Sequence, residues 1–175
     1  MIDDWREVSR RLVFTRYGRS VQRVDFALPT GAVHDFYIKV EAPAVCVVAL
    51  TGDDEVLVTR QFRPGPMKIL YELPGGAVEP GEDPRAAMER ELLEETGYAG
   101  DLELVTSCLD DAYSTVVRHC FVATGCTSVC EASPDTTEFI QPQRLRISEF
   151  RKLLRSGQMT DVEAGYLGLD HLGLL

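Results

Sequence analysis

The chain has 175 residues, 45% of them hydrophobic and 26% charged, which excludes a disordered or fibrous protein and suits one domain with a small extension. Its 28 acidic side chains outnumber 18 basic ones, for a formal net charge of −10. That balance disfavours nonspecific binding to nucleic acid or to an anionic membrane.

The N-terminal residues around Trp5 are polar and carry no apolar run of the signal-peptide kind, so no secretory leader is expected. No apolar run reaches the length of a membrane span, and the cytoplasm is the default location. The segment from Arg11 to Val40 reads as three strands. Val24, Phe26 and Leu28 alternate, Leu28-Pro29-Thr30-Gly31 turns, and Phe36, Ile38 and Val40 alternate again. Residues 1–40 therefore form an antiparallel β extension, and 41–175 the main domain.

Ala42–Leu50 is a continuous apolar run, the pattern of a strand buried on both faces. Thr51-Gly52-Asp53-Asp54 turns, and Glu55–Arg60 returns as a second strand. Gln61–Pro66 reads as an irregular loop and Ile69–Leu73 as a short strand. Arg60 and Arg63 flank this approach; their forks suit phosphate oxygens or ordinary ion pairs with nearby acids, and the residues alone leave both open.

Next comes a glycine-rich turn, Leu73-Pro74-Gly75-Gly76, and a short helix with glutamates at 89, 91, 94 and 95. Asp83 is placed to cap the helix, Pro84 suits its first turn, and Gly97 sits at a left-handed C-terminal cap. Glu91, Glu94 and Glu95 are three and four residues apart and share one face. Like charges at that spacing each cost a few tenths of a kcal/mol, only partly offset by Arg90. Such a face is either a solvated charged surface or a seat for a hard divalent cation such as Mg²⁺.

Leu102–Ser107 and Val116–Ala123 read as strands around a polar loop holding Tyr113, and His119 reads as a packed residue. Thr127–Thr137 is a long polar loop, and Phe139–Ile147 a strand broken by Pro142. Ser148 is placed to cap a helix through Arg155, and Asp161 one through about Leu169. Of five cysteines, at 46, 108, 120, 126 and 130, none form a C-x-x-C pair; Cys46 and Cys120 fall in apolar runs and are expected reduced and buried. Strands on both sides of the helix-bearing motif, with helices at the end, give an α/β fold with a mixed sheet between helices.

The spacing Gly76, Glu82, Arg90-Glu91-Leu92, Glu94-Glu95, Gly97-Tyr98 resembles the Nudix box, G-x5-E-x7-R-E-U-x-E-E-x-G-U with U aliphatic, over 23 residues. Every fixed letter matches, and only Tyr98 departs, at the last U. The resemblance implies an α/β/α sandwich. Arg60–Arg63, Glu72–Gly76 and Ser156–Asp161 further resemble the ADP-ribose pyrophosphatase branch of that family.

Carried over, the resemblance implies Mg²⁺, or Mn²⁺, held by Glu91, Glu94, Glu95 and the Gly75 carbonyl. Glu82 and Arg90 would support these glutamates, and Arg63 would hold a phosphate. Glu138, with Asp135 next, would be the late acidic residue of the site, and Glu138 or a box glutamate, Glu91 or Glu95, would take a proton from water. The implied reaction is hydrolysis of a nucleoside diphosphate derivative, ADP-ribose or a nucleotide sugar, by a homodimer. That branch usually carries a proline beyond the box, whereas none occurs here between Pro84 and Pro134. Tyr113 stands in that stretch, either to stack on a base or ribose or as a packed loop aromatic. The alternatives are a nucleoside triphosphate, dinucleoside polyphosphate or capped-RNA hydrolase, and a non-catalytic nucleotide sensor. The three intact glutamates weigh against the sensor.

Overall fold

A computed structural model describes residues 3–134 and 139–175. The described chain divides into two compact units, one running to Pro43 with Leu109–Val117 added, the other made of Ala44–Cys108 and Arg118–Leu175. In the first, β1 (Arg6–Arg16), β2 (Arg19–Ala27) and β3 (Val33–Val40) form an antiparallel sheet in that order. Val24 is fully buried and pairs with Phe36 across β2 and β3. Trp5, Phe26 and Phe36 pack together, with ring centroids 5.2–6.2 Å apart. The added segment binds β3 through the Lys39 backbone, which donates to Tyr113 O and accepts from Thr115 N. The Lys39 ammonium also meets Asp110 at 2.7 Å.

The second unit holds a seven-stranded sheet. Its path runs β10 (Gln141–Arg146), β5 (Glu55–Arg63), β4 (Ala44–Thr51), β9 (Val117–Ser128), β8 (Tyr98–Leu109). β6 (Lys68–Glu72) pairs with β5, and β7 (Gly75–Ala77) with β4. β4 runs parallel to β9 and antiparallel to β5, so the sheet is mixed. The period-two geometry of a strand sends alternate β4 side chains to opposite faces. Val45, Val47 and Ala49 join Ala87, Met88 and Leu92 of α1 (Pro84–Thr96) in one core. Cys46, Val48 and Leu50 join Phe150 of α2 (Ile147–Leu153) and Ala164 and Leu169 of α3 (Val162–His171) in the other. This is the expected α/β/α sandwich. At Gly168 the helix lies so close to the sheet that a Cβ would stand 2.5 Å from Val48 Cγ2. Among the described residues no helix is long and apolar enough to cross a membrane.

Several local expectations are corrected. β5 continues through Arg63 where a loop was expected, because β6 supplies its ladder out to Arg63↔Lys68. β10 runs through Pro142 unbroken; it lies at the edge of the sheet, where a missing N–H is tolerated. Ser148 lies inside α2, whose N-cap position is Arg146. Asp161 sits at the N-cap position of α3 but makes no side-chain cap; its φ of 54° turns the side chain to other partners. The His171 imidazole lies 3.2 Å from the Glu103 carboxylate.

Candidate active site

The site begins where two strands part. β4 and β5 pair only beside their turn, at Ala49↔Leu57 and Leu50↔Val56. Beyond that, β5 takes β6 and β4 takes β7 as partner. The glycine turn runs from one to the other, and Pro74 O accepts the Val47 N–H at 3.1 Å. Gly75 must be glycine here, since a Cβ would stand 2.8 Å from Cys46 Cα.

α1 then brings the acids to this turn. Asp83 caps it, accepting from Arg85 N at 2.9 Å, and Gly97 closes it at φ 74° with its N–H on Leu93 O. Ala87, Met88 and Leu92 anchor one side in the core, which fixes where the glutamates emerge. A Cβ on Gly76 would lie 2.5 Å from the Glu91 carboxyl carbon, so the missing side chain makes room for that carboxylate. Glu95 is 4% exposed and accepts the Gly75 N–H at 2.9 Å. A carboxylate so deeply placed needs such donors to offset its desolvation.

Arg90 organises the exposed side. Its Nε and Nη2 donate to the two Glu82 oxygens at 3.0 Å each. Nη1 reaches Glu91 at 2.9 Å and Glu94 at 3.2 Å, and Nη2 also donates to Ala77 O. This guanidinium holds the Glu82 carboxyl below its ordinary range, and Glu82 in turn raises Arg90. One planar fork therefore ties the glycine turn, Glu82 and the helix into a single unit.

Beside the turn lies a cavity of about 150 Å³, lined by Arg63, Glu72, Gly75, Gly76, Arg118 and Asp161 among others. Arg63 pairs with both oxygens of Glu72, which also accepts from Gln61 at 3.0 Å. Arg63 is raised by Glu72 first, with smaller contributions from Glu95 and Asp161. Asp161 accepts from Thr160 and lies 3.4 Å from Arg118. Burial pushes its carboxyl above the usual range, against the pull of Arg118. Tyr71 exchanges backbone hydrogen bonds with Gln158 and Thr160, and this short parallel contact carries Asp161 to the cavity.

Of the residues singled out in the sequence, Gly75, Gly76, Glu82, Arg90, Glu91, Glu94 and Glu95 form one continuous network, capped by Gly97. Arg63 lines the adjoining cavity. Arg60 stacks over Tyr71, 5.7 Å from the ring centroid. Tyr113 belongs to the other unit, its ring stacked on Phe36 at 6.4 Å. Glu138 and Asp135 lie outside the described residues. Glu72, Gln61, Arg118 and Asp161 were not anticipated as a cluster. Glu72 and Asp161 fall in the two segments flanking the box that carried the family resemblance, which was the available signal.

The donors around the glycine turn are all oxygens, the set that hard divalent cations take, and the gap at Gly76 gives Glu91 access to the turn. Among the described residues no three His, Cys, Asp or Glu side chains meet at one point, and Arg90 draws Glu91 and Glu94 to itself.

Known proteins resemble this chain in sequence and in fold. A family profile described as the NUDIX domain matches residues 40–160. A "Methanol dehydrogenase activator" of Bacillus methanolicus is 31% identical over 140 residues, 78% of this chain and 76% of that one. An "ADP-ribose pyrophosphatase" of Bacillus subtilis (strain 168) is 30% identical over 145 residues, 81% of this chain and 78% of that one. A solved structure described as an ADP compounds hydrolase superposes with a TM-score of 0.82, covering 100% of this chain and 99% of its own, at 21% identity.

Proposed function

The chain belongs to the Nudix family of hydrolases, and from that premise we propose that it splits the pyrophosphate bond of a nucleoside diphosphate derivative, ADP-ribose or a nucleotide sugar, into two monophosphates. The observation that carries the reading is the single network in which Arg90 holds Glu82, Glu91 and Glu94 while Gly75 holds Glu95. A sensor would need no such array of acids beside a cavity that also carries two arginines.

Glu91, Glu94, Glu95 and the Gly75 carbonyl would hold Mg²⁺ or Mn²⁺. When bound, such an ion neutralises charge on the diphosphate oxygens and eases loss of a proton from water. The chain's own residues then have separate tasks. Arg90 keeps the carboxylates in place through the reaction. Arg63, whose side chain is 41% exposed, presents a guanidinium to phosphate oxygens at the cavity. Arg118 and Asp161 also line the cavity, where the second half of the substrate would rest. The attacking water bonds to one phosphorus, the bridging oxygen leaves with the other phosphate, and the proton passes to a carboxylate, the candidates being a late acidic residue, Glu138 or Asp135, or a box glutamate, Glu91 or Glu95.

The N-terminal unit supports a homodimer. β1 is an edge strand on which Val8, Leu12, Val13 and Phe14 are each 49–58% exposed, an apolar edge that a second copy would cover.

The test is a panel of nucleoside diphosphate derivatives and nucleoside triphosphates with Mg²⁺, products read by mass. The reading expects two monophosphates from ADP-ribose or a nucleotide sugar. Sugar nucleotides left whole, with pyrophosphate released from a triphosphate, would overturn it.

A further inference from the structure

Three cysteines far apart in sequence come together inside the sheet. Cys46 on β4 and Cys120 on the parallel strand β9 stand in register, with their sulfurs 3.9 Å apart. Cys108, on the neighbouring strand β8, places its sulfur 3.7 Å from that of Cys120 on the other side. Cys120 is thus the shared middle member of the row. All three are free thiols.

The three differ in access. Cys46 and Cys120 are buried, whereas Cys108 is partly exposed. They also differ in acidity. Burial pushes the Cys108 thiol up to about 11, and Cys46 is raised by its bond to Cys120. Cys120 is brought down to about 7, chiefly by the hydrogen bond from Cys46, helped by Cys108 and Arg118. A thiolate is the form that attacks peroxide, so the middle cysteine is the one oxidised first and its neighbour Cys108 the one that resolves it.

We propose that Cys108 and Cys120 are a peroxide-oxidisable pair that closes into a cross-strand disulfide. The two stand on neighbouring strands with their sulfurs 3.7 Å apart, in van der Waals contact, the arrangement from which a disulfide closes. The chemistry balances with hydrogen peroxide as the oxidant. The Cys120 thiolate takes one peroxide oxygen, the O–O bond breaks, and the departing hydroxide takes up the proton Cys120 had released, leaving water and a sulfenic acid. The Cys108 sulfur then attacks the Cys120 sulfur, giving up its proton, and displaces hydroxide, which takes that proton as the second water. Each sulfur loses one electron, and the peroxide becomes two waters. Cys46 stays reduced as the donor that keeps Cys120 ionised.

The experiment is done on the full chain carrying Cys130→Ser, which removes the exposed thiol. After hydrogen peroxide, alkylation under denaturing conditions is counted by intact mass, and digestion without reductant locates the bond. The pair predicts a loss of two alkylatable thiols, a Cys108–Cys120 linked peptide, and recovery of both thiols with dithiothreitol. Cys108→Ser and Cys120→Ala each abolish the linked peptide, whereas Cys46→Ala, which removes the donor, retains it and slows its formation. Cys108→Ser, at a partly exposed position, keeps the test valid if the buried variant misfolds. Thiols lost one at a time to higher oxides, or a linked peptide that survives in Cys108→Ser, would overturn the proposal.

Discussion

The carboxylate of Glu91 occupies the space beside Gly76, where a Cβ would lie 2.5 Å from its carboxyl carbon. The neighbouring Gly75 is constrained differently, by backbone, with Cys46 Cα 2.8 Å from the same imagined atom. The pair separates chemistry from folding. In Gly76→Ala the flexible end of Glu91 yields, so thermal stability changes little while turnover falls at least about 10-fold, as when a metal-ligand support is lost. In Gly75→Ala the sheet itself must shift, at a cost of about 1–3 kcal/mol. Thermal melting and steady-state rates on the two variants check this; equal loss of stability in both would contradict it.

Glu95→Gln keeps the shape of the side chain and its contact with the Gly75 N–H but removes the charge. Secondary structure by circular dichroism is expected to be unchanged, and kcat to fall by at least about 100-fold. Glu91→Gln is expected to behave alike. A variant with near-parental rate would remove that glutamate from the reaction.

Arg90→Lys retains the charge but loses the planar fork that spans Glu82, Glu91 and Glu94. Because this guanidinium positions other groups, kcat should fall about 10- to 100-fold with KM little changed. A rise in KM alone would instead mark it as a substrate contact.

Glu82 gives a pH prediction. Its folded carboxyl lies below the ordinary value of 4.5, chiefly through Arg90. A depressed carboxylate contributes stability that is present above 4.5 and is lost as pH falls through its folded value. Glu82→Gln should therefore be less stable than the parent at pH 7, with the difference closing as pH drops below 4.5. Denaturant melts across that range decide it; a gap that widens in acid would contradict the assignment.

Much of this architecture is legible from residue order. The apolar run at Ala42–Leu50 marks a strand buried on both faces, and Asp83, Pro84 and Gly97 bound α1 closely. The glutamate spacing identifies the box because its chemistry is local, on one helix and one turn. The parting of β4 from β5 is not legible, since it depends on which strands β6 and β7 choose. Asp161 is misread as a helix cap because a cap is the local explanation. Its partners, Arg118 on β9 and the cavity beside Glu72, are distant in sequence and are brought to it by the tertiary fold, the Tyr71 backbone contact among its links. The row formed by Cys46, Cys108 and Cys120 is hidden for the same reason: three unpatterned cysteines acquire a relationship only through strand register.

The central claim is that the acids gathered by Arg90 and Gly75 make the chain a divalent-cation-dependent pyrophosphohydrolase. Its most direct test is ADP-ribose with purified protein, with and without Mg²⁺, beside Glu95→Gln, the products identified by mass. The account predicts AMP and ribose 5-phosphate from the parent with Mg²⁺, and neither product after chelation or from the variant. Equal product from Glu95→Gln, or hydrolysis undiminished by chelator, would contradict it.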